Sequence, residues 1–137
     1  MHPLQRLPDW PERLAATIAA HRDTPFQWGV HDCALWACNT VQCLTGTDIV
    51  ADLRGAWHTA SEALRVLQGG GGLLAMISAR LPERAPRGMA RRGDVVCVAI
   101  DGRPTLGVVA GNGRWCAPGA AGMLFRPMAE VVHVRAV

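Results

Sequence analysis

Cys33 is the residue in this chain best placed for chemistry. It follows Asp32 directly and Gly29 by four positions, within the stretch FQWGVHDCALW at 26–36. If a helix begins there, its free N–H groups and macrodipole favour the thiolate, and the thiol pKa is expected to fall. A thiolate so placed could attack a carbonyl carbon while the same N–H groups help hold the oxyanion. The other reading makes Cys33 a small apolar side chain turned toward a core, and spacing leaves both open.

A thiol nucleophile needs a base, and five histidines are present. His31 lies two residues before Cys33, so its side chain is expected on another side of the chain, in a loop hydrogen bond or helix-start contact. His58, beside Trp57, reads as a capping or exposed residue. His133, in EVVHVRAV, shares a strand face with Val131 and Arg135 and reads as a sheet-surface residue, unless its strand lies near Cys33. Nothing recommends His2 or His21 as the base. Trp28, Trp36 and Trp57 read as core.

The cysteines are Cys33, Cys38, Cys43, Cys97 and Cys116, without a CxxC pair. Five-residue steps rotate a helix position by about 140°, so the first three cannot converge on one metal from a single helix. A cluster completed by a partner chain stays open, but the simpler expectation is reduced, inert thiols and no metal or cofactor.

Capping and turn residues outline the helices and strands that carry these groups. Asp9 with Glu12 resembles a capping box opening a helix with Leu14, Ile18 and His21 on related faces, ended by HRDTPF. Asp32 can cap a second helix, to about Thr45, closed by Gly46. Thr59 with Glu62 signals a third over 60–68, stopped by four glycines, and LLAMISARL at 73–81 reads as a fourth. PERAPRGMARRG is a loop. DVVCVAI at 94–100 reads as a strand, with Asp94 at its start, and DGRP as a turn. The Asn-Gly of GNG at 111–113 predicts a hairpin between strands over 106–110 and 114–116. GMLFRP and EVVHVRAV offer two more strands. The expected fold class is therefore α+β, one domain over 1–137: helices over about 9–82, a loop over 83–92, and an antiparallel sheet over 93–137.

Composition narrows the function classes. Half of the 137 residues are hydrophobic and 18% charged, which excludes intrinsic disorder. No apolar run approaches the roughly 20 residues that span a bilayer. The opening MHPLQRLPDWPERL has no apolar core of signal-peptide type, so synthesis and retention in the cytoplasm are expected. A net charge of +3, with no basic cluster interleaved with aromatics, gives no case for nucleic acid.

PFQWGVHDCALWACNTV, followed by RRGDVVCV and TLGVVAGNGRWCAPG, resembles the NlpC/P60 family of papain-like cysteine peptidases, especially the short versions from bacteriophage and prophage tail modules. Gly29, Asp32, Cys33, Gly93, Asp94 and Gly107 stand where family members have them. The resemblance implies Cys33 as nucleophile and N-terminal helices packed on a C-terminal sheet. Phe26 replaces the family tyrosine and Ala34 the usual serine. The same alignment puts Thr105 at the catalytic histidine and Cys116 at the third polar position. Threonine cannot take the thiol proton near neutral pH, and that acid–base step is worth about 10²–10⁴-fold. Gln27 lies where papain-like enzymes often carry an oxyanion glutamine, although a loop role fits it better. The resemblance therefore implies a structural component of the phage tail or tail tip, made in the bacterial cytoplasm and incorporated in the virion. Loops such as Arg84–Arg92 would meet hub, distal-tail or tail-tip proteins. The alternative is an active endopeptidase or amidase that uses Cys33 on peptidoglycan stem peptides.

Overall fold

A computed structural model describes residues 4–137; His2 lies outside them. The described residues form four α-helices followed by one antiparallel five-stranded sheet, the α+β arrangement expected. The helices are α1 (Trp10–Ala20), α2 (Cys33–Thr45), α3 (Ala60–Gly69) and α4 (Leu73–Ser78). The strands are β1 (Val95–Ile100), β2 (Arg103–Gly111), β3 (Arg114–Gly119), β4 (Gly122–Pro127) and β5 (His133–Arg135), in spatial order β4-β3-β2-β1-β5. No described helix is long and apolar enough to cross a membrane.

Helix α2 is the centre of the molecule. Ala34, Leu35, Trp36, Ala37, Cys38, Val41 and Leu44 are buried on several of its sides, because α2 runs between α1 and the sheet strands β2 and β3. Asp32 caps its start through Leu35 N–H, and Gly46 ends it with φ +78°. Thr59 caps α3 by accepting from Glu62 N–H at 3.2 Å, and the Glu62 carboxylate accepts from His58 N–H at 2.9 Å. Asp9 departs from its expected role. It makes no cap bond, and its carboxylate accepts instead from Arg13 one turn on, at 2.8 Å. Helix α4 is also shorter than the apolar run predicts, ending at Ser78, while Leu81 is buried beyond its end.

The β1–β2 and β2–β3 hairpins turn through left-handed residues, Asp101-Gly102 and Asn112-Gly113, the geometry that two-residue turns between twisted strands favour. Strand β2 begins at Arg103, three residues before its apolar part, because Arg103–Thr105 pair with Val98–Ile100 of β1. Side chains of directly paired residues share a face. Val95, Cys97, Leu106, Val108 and Cys116 therefore meet α2 in the main core. Val96, Val98, Val109 and Trp115 lie on the outer face, with Val131 and Val134. The 84–92 segment closes that face: Ala90 packs on it, Arg84 N–H donates to Val134 C=O, and the Arg87 guanidinium donates to Val131 C=O.

Asp94, just before β1, is wholly buried at the junction of chain segments. It accepts from the Arg6 and Arg84 guanidiniums and from the backbone N–H groups of Arg91 and Val137. The Gly-Asp pair therefore has a structural task, as its place before the strand suggests.

Candidate functional site

The start of α2 is assembled around a carboxylate. Asp32 is 1% exposed, yet both its oxygens are occupied. Oδ1 accepts from Leu35 N–H at 2.9 Å; Oδ2 accepts from Gly29 N–H at 3.0 Å and from the Trp57 indole at 2.7 Å. One side chain thus ties together the helix start, the turn before it and the segment entering α3. In that turn, Gln27 C=O accepts from the N–H groups of Val30 and His31. Gly29 has φ +77°, and a Cβ there would lie 2.3 Å from Trp57 C=O, so only glycine fits. Gln27 serves this turn, with its side chain exposed.

Cys33, half-buried, stands at the head of a cleft of about 660 Å³ between α2, α3 and the start of β2. Its walls are largely apolar, including Trp28, Trp57, Leu64, Leu67 and Pro104, with Arg103 alongside. Trp36 and Trp57 are core residues as expected, each 2% exposed; Trp28 is not, being 39% exposed and facing the cleft. Phe26 packs edge-on to Trp28, with ring centroids 4.8 Å apart, so an aromatic pair occupies the place where the resemblance implies a tyrosine hydroxyl.

The thiol itself contradicts the expectation drawn from its helix position. Its pKa is pushed up to about 11, first by burial. The Leu106 N–H pulls the other way, the Asp32 charge adds to the rise, and the N–H groups of Ala34 and Cys33 oppose it. Desolvation outweighs the N–H groups of the helix start, and Asp32, which caps that start, adds a negative charge near the sulfur. Near neutral pH Cys33 is a thiol.

The other residues of the expected dyad do not gather here. Thr105 pairs with Val98, on the outer face of the sheet, and its hydroxyl donates to Arg103 C=O at 3.4 Å. Leu106, the next residue, is the one turned toward α2. Cys116 is fully buried beneath Trp36, whose indole donates to its C=O at 3.2 Å; burial pushes its thiol to about 12. His133 is half-buried opposite Cys97, on the helix-facing side of the sheet, and so is not the sheet-surface residue expected. His58 is exposed, as its position suggests. Among the described residues no imidazole hydrogen-bonds to Cys33, and no three His, Cys, Asp or Glu side chains cluster to hold a metal ion.

A histidine pair stands beside the site without entering it. His31, 5% exposed, stacks on His21 with centroids 5.0 Å apart, and both meet Trp36 edge-on. His21 Nδ1 bonds to Thr17 C=O at 2.8 Å, while His31 Nε2 is buried with no protein partner among the described residues. Burial, then the neighbouring His21, lowers the His31 pKa, and Asp32 opposes them. His21 carries no local signal, since ten residues and a helix end separate it from its partner.

Residues 5–137 match the family described as a domain of unknown function, DUF6950. The chain belongs to this family. The DUF6950 match covers both layers of the fold and every residue of the cleft, and its description names no activity. No curated protein matches the chain.

Proposed function

We propose that this chain is a structural component of a bacteriophage tail or tail tip, built on an NlpC/P60-like fold of the papain-like type, in which hydrolysis has been lost or weakened. The observation that carries the reading is at Cys33. The thiol heads a cleft but is held protonated, and the side chain that β2 turns toward it is Leu106. A peptidase at this position needs a base for the thiol and an acid for the leaving amine. The likeness to the papain-like type rests on a cysteine at the start of a central helix that packs on an antiparallel sheet, together with the motifs around it. The tail setting rests on the motif resemblance.

Two measurements test this. The chain should be detected in purified tail particles, and its absence from them defeats the assembly role. Purified protein should release no stem peptides from cell-wall sacculi. The enzyme reading draws on one feature, the backbone N–H groups that face the Cys33 sulfur at the cleft head. Release that disappears in Cys33→Ala establishes that reading instead.

A further inference from the structure

A second concavity, of about 440 Å³, lies between the residues that follow α1 and the β2–β3 turn. Arg22, Ala110, Gly111, Asn112, Arg114 and Phe125 line it, none of them shared with the Cys33 cleft. We propose that it binds the carboxylates of an acidic peptide segment presented by a partner chain.

The charge is uncompensated. Arg22 and Arg114 are exposed, and neither makes an ion pair or side-chain hydrogen bond among the described residues, whereas six other arginines each pair with a carboxylate. No carboxylate lines the pocket. A third arginine borders it: Cδ, Nε and Cγ of Arg92 lie 3.2–3.4 Å from where a side chain on Gly111 would begin. The chain contains no lysine, so every cation it offers is a planar guanidinium suited to bidentate carboxylate capture.

The backbone holding these groups is fixed before any ligand arrives. Arg22 C=O accepts from Met123 N–H at 2.9 Å, which joins the end of the α1 region to β4. Arg114 sits in the ladder opposite Gly111 and Pro127. Asn112, at φ +55° in the turn, adds a carboxamide to the wall. The space exceeds what one small ion needs, and Phe125 supplies apolar surface that an ion would leave unused. Phe125 belongs to β4, an edge strand along which an extended segment can run. A peptide alternating acidic and apolar side chains fits this combination better than a nucleic acid does, since no further aromatics are set among the arginines.

The test is fluorescence anisotropy at low salt with labelled acetyl-Glu-Leu-Glu-Leu-Glu-amide. Saturable binding that weakens with added salt is expected. Arg22→Gln and Arg114→Gln should each weaken it by about tenfold or more, the loss of a hydrogen bond to a charged group. Arg65→Gln, on α3, should leave it unchanged. Absence of saturable binding, or binding indifferent to both pocket substitutions, overturns the proposal. So does tighter binding of inorganic phosphate or of a short oligouridylate through the same two arginines. As a second readout, Arg22→Glu/Arg114→Glu should exchange the preference toward acetyl-Lys-Leu-Lys-Leu-Lys-amide, and failure to do so counts against the pocket.

Discussion

The Trp57 indole donates to Asp32 Oδ2 at 2.7 Å, across 25 residues of sequence and wholly inside the protein. The bond fixes the segment entering α3 against the start of α2, and so sets the width of the cleft that Cys33 heads. Trp57→Phe removes the donor together with the five-membered ring of a buried side chain, so stability should drop by at least about 1.5–3 kcal/mol in urea unfolding. Asp32→Ala strands three donors at once and should cost about 3–5 kcal/mol. A cost under about 0.5 kcal/mol for both would show that this carboxylate does not organise the site.

Gly29 approaches the same contact from the other side. Gly29→Ala puts a methyl against Trp57 C=O at a residue with φ +77°. Left-handed strain of about 1–2 kcal/mol adds to the clash. The variant should melt well below wild type, and an unchanged midpoint would mean that the turn can reopen freely.

Reactivity reads the state of Cys33 directly. With a pKa of about 11 against an ordinary 9.0, its thiolate fraction near pH 8 is about a hundredfold below that of an unperturbed thiol. Iodoacetamide should label Cys33 slowly at pH 8 and increasingly fast toward pH 11, followed by mass spectrometry of the peptide containing it. Rapid labelling at pH 7 would restore the activated nucleophile.

Stability should fall at both pH extremes, for opposite reasons. Burial raises the thiols of Cys33 and Cys97 to about 11 and those of Cys38 and Cys116 to about 12. Their contribution is complete below pH 9 and is lost as pH climbs through the folded-state values, because the unfolded chain then binds fewer protons. His31 is shifted the other way. Its lowered pKa means that the unfolded chain binds more protons below about pH 6.5, so acidification weakens the fold. Urea midpoints at pH 5, 7.5 and 10 should peak in the middle, and His31→Phe should flatten the acid limb only.

Asp94 joins regions far apart in the chain. Asp94→Ala leaves the guanidiniums of Arg6 and Arg84 without their carboxylate and the backbone N–H groups of Arg91 and Val137 without an acceptor. A loss of about 3–5 kcal/mol is expected from thermal or urea unfolding. A near-neutral result would mean that water takes over the acceptor role.

Much of this architecture is written locally. Asp32 and Thr59 announce helix starts, Gly46 an end, and Asn112-Gly113 a hairpin, because caps and left-handed turns are decided by residues within about four positions of one another. The α+β order follows from the change of pattern near residue 90. Asp9 misleads because Arg13, one turn away, competes for the same carboxylate.

The place of the cysteine at a helix start, and the elements around it, can be read along the chain. Tertiary structure alone decided what that cysteine is. Its pKa depends on how tightly β2 closes over the sulfur, and strand parity, one residue either way, decides whether Thr105 or Leu106 faces it. The histidine stack and the arginine pocket are likewise products of packing. Their members come from separate elements whose meeting follows from burial of the shared core, not from any local pattern.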